Sequence, residues 1–591
     1  MKEQVIVLAF SNDRDDYLDC IVEERKNIYN ALRNHDMKGF IRVEKSEHTS
    51  IDDLFDTFNL YRDRIALFHY GGHAGGTHLQ LESGAGKAQL ADAGGLAQLM
   101  GREKELRLVF LNGCATKKQV VLLLDAGVKA VIATSVPIND NMATEFAEQF
   151  FKALVLKQSI GEAFKNAQAK MRTYGSAREI KIYKYRDVHW KDKEDHTVGE
   201  MPWGLYYDEN HPGVLDWKLP DTPPFPTFFP DGEAPYKDSA AVNTQLVEIL
   251  TKKIAPYSIL MRQLIELARQ SDEIGIGKFQ SEIINSFPIP VGKQLRRLFA
   301  GSTCNNNRLR QLVLTYNSIV QLTCFIMLSQ LWEECTKNRE LVIGGDFLRE
   351  LQSFYTLREN NFREFDYVKL ARATAGIFKK NQIEYFVEEL SVLEESFRAE
   401  DEFYRAYLFL EKLKASLLEK KINPEEVESL CIDGEKHLSA VLSKLSFFVK
   451  YRLATVKRIE VIKYRFKDPK FKHRKIIQYN ANDPNLAVNQ DEHDSFTEHE
   501  SVFLFKDVKD VSECLSLSPF VVDKHALEPK KSEAVSLLFF YSYPEESGSK
   551  YYYNSFDKED ETFAVSDKNH RAIKEQFPEF KKTCLPEVKD K

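Results

Sequence analysis

Apolar positions near the N-terminus alternate between short continuous runs and helix-like spacing. The continuous runs occupy residues 5–10, 40–43, 65–70, 106–111 and 129–135. Runs of this length suit strands that are buried on both faces, as in a parallel sheet covered by helices. Between the runs, apolar residues recur every three or four positions, as on one face of a helix. The pattern predicts a doubly wound α/β sheet with right-handed crossovers.

Several local signals mark where individual elements begin. Ser50 precedes a short amphipathic helix pattern, and Ser159 forms a Ser-x-x-Glu capping box with Glu162. Asp140 opens a further helix pattern that follows the run at 129–135. Residues 77–82 alternate between polar and apolar side chains, which predicts a small hairpin at the rim of the sheet.

Prolines mark the clearest domain boundary, with six in the sixteen positions from 220 to 235. No helix or central strand tolerates that density, so the sequence predicts a linker at 220–238. It joins an α/β domain at 1–219 to an all-α domain at 239–452, in which helical spacing dominates without a fixed repeat period. Short β-rich runs then predict a small antiparallel α+β domain at 453–591.

Composition narrows the class of protein. The net charge of −7 argues against a general nucleic-acid or anionic-membrane surface, so we expect no nucleic-acid partner. The eight cysteines are scattered without ligand spacing, which predicts free thiols in the cytoplasm and neither a metal ion nor another cofactor. The longest apolar stretch, at 319–332, is interrupted by polar residues and shorter than a membrane span of about 18 residues, so it predicts a buried helix.

Two of the predicted strands end in small-residue turns that carry a reactive side chain. IALFHYGGHAGG presents His73, and LRLVFLNGCAT presents Cys114. If these strands are neighbours, about 4.8 Å apart, the imidazole and the thiol share one crevice at the edge where open α/β sheets bind ligands. A cysteine with a histidine in reach is the minimum for thiolate nucleophilic catalysis. Their separation of 41 residues leaves room for a crossover and is too long for a metal knuckle.

The paired motifs HYGGHAGG and LNGCAT resemble the CHAT family of caspase-like cysteine peptidases, whose clan includes caspases, separase and gingipains. The resemblance covers about the first third of the chain, and the histidine precedes the cysteine as in that family. Members usually have glycine after the histidine, where this chain has Ala74 and then Gly75. The resemblance implies a caspase-like sheet at 1–219 and a peptidase with His73 as general base and Cys114 as nucleophile. It also implies that a backbone group orients the histidine, so no third acid is assigned.

Alternatives exist for each residue of this pair. An isolated cysteine is more often an inert core thiol, but Cys114 follows a strand end and precedes a helix whose N-terminal dipole would lower the pKa of the thiol. His69 lies inside the strand and is expected to pack in the sheet, whereas His78 lies on the hairpin. Only His73 is flanked by residues small enough to leave room for a substrate.

Three further positions, together with the backbone of Cys114, are candidates for binding the substrate. The N–H groups of Ala74 and Cys114 would form an oxyanion hole, and the alternative is that they are turn amides bound to water. Asp140 resembles the aspartate by which separase-like relatives hold a basic side chain, and a helix-capping carboxylate is an equal alternative. Asn112, two residues before the cysteine, could line the same pocket.

Two functions remain open at this point. The first is a cytoplasmic cysteine endopeptidase that cuts a protein substrate. By family resemblance it would act in antiviral defence or regulated cell death, with the C-terminal domains holding the enzyme inactive or binding a protein or ligand activator. The second is a catalytically silent regulatory or scaffold protein that acts through its helical and β-rich domains. The intact pair of motifs favours the first.

Overall fold

A computed structural model describes most of the chain. The described residues are 3–12, 18, 20–46, 49–82, 88–114, 116–135, 140–173, 182–184, 202–222, 242–270, 274–301, 303–337, 341–393, 395–398, 401–478, 488–528, 536–557 and 561–584. They divide into two compact units, Met1–Phe229 with Glu266–Lys278 and Pro230–Ile265 with Phe279–Lys591. The helical and β-rich regions both lie in the second unit, and the predicted boundary between them stays a prediction. From position 223 onward, the predicted linker at 220–238 lies outside the described residues.

The first unit is built on a seven-stranded sheet with the order β2-β1-β3-β6-β7-β9-β8 and a separate β4-β5 hairpin. Its strands are β1 Gln4–Phe10, β2 Ile41–Ser46, β3 Ile65–Gly71, β4 His78–Glu82, β5 Ala88–Asp92, β6 Leu108–Asn112, β7 Ala130–Thr134, β8 Ile182–Lys184 and β9 Trp203–Tyr207. Its helices are α1 Cys20–Met37, α2 Ile51–Leu60, α3 Ala93–Gly101, α4 Gln119–Asp125, α5 Asp140–Val155 and α6 Ile160–Arg172. The strands from β2 to β7 in this order pair in parallel, and β9 pairs antiparallel with β7. The predicted α/β fold is confirmed.

The local signals are confirmed where the structure describes them. The Ser50 hydroxyl accepts a hydrogen bond from the N–H of Asp53 at 3.1 Å, and the Asp53 carboxylate accepts one from the N–H of Ser50 at 3.0 Å. Ser159 and Glu162 form the same capping box at the start of α6. These boxes satisfy backbone donors that a helix start leaves without partners. The predicted hairpin is the β4-β5 pair.

Helices cover both faces of the sheet around β3 and β6. Phe110 of β6 packs against the rings of Phe146 and Phe150 of α5, at centroid distances of 6.0 and 5.4 Å. On the other face, Phe58 of α2 packs against Phe68 of β3 at 5.7 Å. Every residue of β3 and β6 is buried. Side chains of this region can therefore reach solvent only beyond the strand ends.

The second unit combines helices with two antiparallel sheets, of order β12-β11-β10-β13-β14 and β15-β16-β17-β18. The helices beyond residue 242 are α7 Thr244–Ile254, α8 Ile259–Gln270, α9 Ile276–Ser286, α10 Ile289–Ala300, α11 Asn306–Lys337, α12 Gly345–Tyr355, α13 Tyr367–Lys380, α14 Glu402–Leu418, α15 Val427–Lys444, α16 Lys524–Leu527 and α17 Arg571–Cys584. Parts of α8 and α9 belong to the first unit, because that unit includes Glu266–Lys278. The strands are β10 Arg452–Ile462, β11 Lys470–Ile477, β12 Val488–His493, β13 Ser501–Phe505, β14 Cys514–Ser516, β15 Val521–Asp523, β16 Leu538–Pro544, β17 Lys550–Ser555 and β18 Thr562–Ser566. The predicted helical region followed by antiparallel strands is confirmed.

Helix α11 contains the longest apolar stretch of the chain. By length and composition it could cross a membrane, and 83% of its most apolar window is buried inside the protein. The predicted buried helix at 319–332 is confirmed as part of α11.

Candidate active site

Tyr70 and Gly72 fix the turn that follows β3 and carries His73. Gly72 has a φ of +156°, and a Cβ at this position would lie 2.5 Å from the carbonyl oxygen of Ser11, so only glycine fits. The buried Tyr70 hydroxyl lies 2.7 Å from the carbonyl oxygen of His73, and the N–H of Gln80 donates to the same oxygen at 3.0 Å. The main chain at His73 is therefore held in place, while the residue itself is partly exposed.

The strand register places His73 and Cys114 at the same edge of the sheet. Strands β3 and β6 are parallel neighbours, and Gly71 at the end of one lies opposite Asn112 at the end of the other. His73 and Cys114 each follow two residues after this pair. Both lie beyond the carboxyl ends of their strands, where ligands bind in open α/β sheets.

The turn before Cys114 lies directly against the His73 turn. A Cβ on Gly113 would lie 2.6 Å from the Cβ of Ala74 and 2.7 Å from the carbonyl oxygen of Gly72. Real side chains do not tolerate such distances, so glycine at position 113 is what lets the two turns touch. The structure therefore brings the predicted base and the predicted nucleophile to touching turns.

Two buried threonines hold the chain on either side of Cys114. The Thr134 N–H donates to Oγ1 of Thr116 at 3.0 Å, and the Thr116 N–H donates to Oγ1 of Thr134 at 3.3 Å. The Thr134 hydroxyl also donates to the carbonyl oxygen of Gly113. A 3-10 turn at Thr116–Lys118 leads into α4, so the helix predicted after Cys114 is confirmed. Cys114 is partly exposed between these anchors.

Comparison with known families agrees with this geometry. Residues 18–204 match the family model of the CHAT domain, and the match contains both turns. The chain carries a CHAT domain. This places its N-terminal region in the superfamily of caspase-like proteases and confirms the resemblance carried by the two motifs. No curated protein matches the chain.

Beneath the two turns of the CHAT domain, one buried carboxylate joins β3 to β6. Oε1 of Glu24, on α1, lies 2.9 Å from Nε2 of His69 and accepts a hydrogen bond of 2.9 Å from Nδ2 of Asn112. The indole N–H of Trp203, on β9, donates to Oδ1 of Asn112 at 3.0 Å. Glu24 is 2% exposed, and His69 and Trp203 are fully buried. The network connects α1 and β9 to the strands that precede His73 and Cys114.

Sequence analysis did not identify Glu24 or Trp203 as part of the site. A signal for Glu24 was present, because it lies three residues after Ile21 and four before Ile28, on the apolar stripe of α1. An acidic residue on such a stripe needs a buried partner. Trp203 gives no comparable signal, because its partner Asn112 lies 91 positions away.

The two histidines weighed against His73, His69 and His78, lie where the sequence predicts. The ring of His69 contacts the rings of Phe10, Phe110 and Phe151 at centroid distances of 5.6, 4.8 and 5.5 Å. It packs within the sheet, as predicted. His78 is the first residue of β4, on the predicted hairpin.

Asn112 and Asp140 were both predicted to line a substrate pocket. The Asn112 amide is 3% exposed, and it also donates to the carbonyl oxygen of Ala143 at 3.1 Å. The structure thus shows Asn112 supporting the end of β6, and contact with a substrate stays a prediction. Asp140 begins α5, three residues before Ala143, so its main chain lies near the same strand end. The Asp140 side chain lies outside the described part of the chain.

The predicted oxyanion hole uses the N–H groups of Ala74 and Cys114. Ala74 N lies 3.5 Å from the position that a Cβ on Gly113 would occupy, so the two amides lie on touching turns. The next amide, of Gly75, already donates to the carbonyl oxygen of His78 at 3.0 Å. The role of the two amides stays a prediction. Across the described residues, no group of three or more His, Cys, Asp or Glu side chains could hold a metal ion.

Proposed function

We propose that this protein is a cysteine endopeptidase that cuts a protein substrate with His73 and Cys114. The observation that carries the proposal is the contact of the two turns at Gly113, which places both partly exposed residues at one edge of the sheet. The CHAT match supports the same class of enzyme. The rigid anchoring of both turns also fits, because catalysis needs reacting groups held in a fixed orientation.

The reaction follows from the roles of these groups. His73 takes the proton from the Cys114 thiol, and the sulfur attacks the carbonyl carbon of the scissile peptide bond. The carbonyl oxygen becomes an oxyanion, which the N–H groups of Ala74 and Cys114 stabilise. As the C–N bond breaks, His73 gives its proton to the leaving amine and an acyl thioester remains. Water that His73 deprotonates then hydrolyses the thioester and restores the thiol.

Thiol labelling of the full chain tests this proposal. Burial raises the pKa of Cys431 and of Cys514 to about 12, and it raises the pKa of Cys324 well above its usual range. A hydrogen bond from Cys584 lowers the pKa of Cys335, but Cys335 is only 2% exposed. We therefore expect a peptidyl acyloxymethyl ketone to modify Cys114 first, as mapped by mass spectrometry.

His73→Ala should slow this labelling, because the probe reacts with a thiolate that the imidazole helps to form. Preferential labelling of another cysteine in the native protein would contradict the proposal. It would favour the alternative of a catalytically silent regulatory protein.

We further propose that the second compact unit restrains the peptidase until a protein or ligand activator binds, in cytoplasmic defence or cell-death circuits. In support, the CHAT match ends at residue 204, and most of the chain beyond it belongs to the second compact unit, which has its own sheets. A fragment to test this should contain the whole first unit, which includes Glu266–Lys278 as well as Asp221, whose carboxylate pairs with Lys157 at 2.8 Å. We expect a fragment ending at residue 278 to cleave a peptide about tenfold faster than the full chain, a typical size for coupling between sites. Equal rates would show that the second unit does not restrain the enzyme.

A further inference from the structure

The turn between β10 and β11 alternates between cationic and aromatic side chains. We call residues 463–467, Lys-Tyr-Arg-Phe-Lys, the basic-aromatic turn. All five residues are exposed, with Tyr464 at 58% and Phe466 at 79%. The two ring centroids lie 6.2 Å apart, with their planes 31° from parallel. The turn thus presents two neighbouring aromatic rings to solvent.

Folding of the second unit does not explain these exposed rings. The first half of β10 is buried, but its end at Val461 is 64% exposed, and the turn lies beyond it. On the neighbouring segment Phe496 is 70% exposed, and its ring lies 5.1 Å from the ring of Phe471, near the start of β11. Clustered exposed apolar side chains of this kind usually mark an interaction site.

The same hairpin concentrates positive charge within an acidic chain. Residues 457–475 contain nine Lys or Arg and two acidic residues, whereas the whole chain has a net charge of −7. Along the strands, acidic neighbours balance part of this charge. For example, Glu492 lies opposite Lys472, and Asp494 pairs with Lys470.

The cations of the turn itself are not balanced in this way. Arg465 has no ion pair with any residue that the structure describes. Lys467 lies 5.5 Å from the centre of the Phe466 ring, and Lys463 donates to the carbonyl oxygen of Lys467. Three cationic groups therefore remain available to an anionic partner, directly beside two exposed rings.

We propose that the basic-aromatic turn binds single-stranded nucleic acid. Two successive bases would stack on Tyr464 and Phe466, and the phosphates on either side would contact Lys463, Arg465 and Lys467. Stacking of this kind tolerates any sequence, because every base has an aromatic face. We expected no nucleic-acid partner because the net charge of the whole chain is negative. That sum combines the positive charge of this turn with acidic residues elsewhere in the chain.

A membrane surface is the other partner that basic and aromatic residues could fit. Insertion of both rings into lipid would carry Arg465, which lies between them, and Asp468, which follows them, toward the hydrocarbon. Charged groups are costly there. The alternation of charge and ring matches a strand of phosphates and bases better than a layered membrane.

The test is fluorescence anisotropy of the full chain with a labelled 20-nucleotide oligothymidylate. Three phosphate contacts predict that affinity falls about tenfold between 50 and 150 mM NaCl. Replacement of both Tyr464 and Phe466 by Ala should weaken binding by at least about tenfold. Replacement of Lys463, Arg465 and Lys467 by Ala should weaken binding and also remove most of the salt dependence.

One matched control is Tyr257→Ala, which removes an exposed aromatic side chain elsewhere in the same unit. The other replaces Lys420 and Lys421 by Ala in another exposed turn. These variants should bind the oligonucleotide like the unchanged protein. Equal affinity of all variants, or no binding by the unchanged protein, would overturn the proposal. Loss of binding to phosphatidylserine vesicles in the Tyr464 and Phe466 double variant, without oligonucleotide binding by the unchanged protein, would assign the turn to membranes instead.

Discussion

Two histidines four residues apart in the CHAT domain have opposite surroundings. His69 is fully buried among three phenylalanine rings, and its Nε2 lies 2.9 Å from the Glu24 carboxylate. His73 is partly exposed on a turn whose main chain Tyr70 and Gln80 hold in place. By residue type alone, the His69–Glu24 pair looks more like a catalytic pair. A substrate can reach His73 on its turn but not the buried His69. Exposure, rather than a carboxylate partner, therefore separates a candidate catalytic histidine from one that only stabilises the fold.

The largest expected effects separate these two histidines. His73→Ala and Cys114→Ala should each lower kcat/KM by at least about a thousandfold, because the chemical step loses its base or its nucleophile. Both should unfold at the same denaturant concentration as the unchanged protein, because neither side chain fills the core. His69→Ala should instead lower the free energy of unfolding by about 2–4 kcal/mol, since it leaves a buried carboxylate without one partner.

The measurements are peptide cleavage and urea unfolding on all three variants. Cys114→Ala with unchanged turnover would remove the peptidase proposal. An unchanged midpoint for His69→Ala, together with a reduced midpoint for His73→Ala, would reverse the roles of the two histidines.

The placement of His73 and Cys114 at adjacent strand ends could be predicted because its signals are local. Continuous apolar runs followed by glycine turns predicted β3 and β6 and placed His73 and Cys114 at their ends. The structure adds what local pattern does not contain. That Gly113 touches Ala74 and Gly72 depends on strand register, which the sequence leaves open until the sheet order is known.

Sequence analysis predicted neither the buried network around Glu24 nor the basic-aromatic turn, for different physical reasons. Glu24 meets Asn112 across 88 positions, so the contact exists only after α1 packs on the sheet. The positive charge of the turn at 463–467 is not visible in the net charge, because net charge is a sum over the whole chain. Binding of an anionic partner depends instead on which charges lie on the same exposed surface.

Asp140, the first residue of α5, offers a second test. A carboxylate that holds a basic side chain in a pocket should favour substrates by about 2–4 kcal/mol, the usual loss when one partner of a buried charged pair is missing. Asp140→Asn should therefore erase a preference for Lys or Arg before the cut and leave Cys114 reactive toward a small alkylating probe.

A peptide-library profile measures this preference, with Asn141→Ala as a control on the next residue of α5. No enrichment of basic residues, or enrichment that survives Asp140→Asn, would assign Asp140 to helix capping. In that case its contribution would be to the start of α5 alone.

The smallest effect is expected at Glu24. It tests whether the buried network of Glu24, His69 and Asn112 supports the strand ends that carry His73 and Cys114. Glu24→Gln keeps the size of the side chain and an oxygen that can accept a hydrogen bond from Asn112. It removes the negative charge of the carboxylate that lies beside His69. We expect kcat to fall about tenfold with little change in KM, because the strand ends lose a fixed relative position after the substrate is bound. We also expect the free energy of unfolding to fall by about 1–3 kcal/mol.

Glu23→Gln is the matched control, because Glu23 is the exposed neighbour on the same helix. It should leave both quantities unchanged. A purely structural Glu24 would lower the unfolding midpoint but leave kcat per folded molecule intact. Steady-state kinetics well below the unfolding transition, combined with urea unfolding of the same samples, distinguishes these outcomes. A normal kcat in Glu24→Gln would show that the contact of the two turns at Gly113 is sufficient to hold the reactive pair.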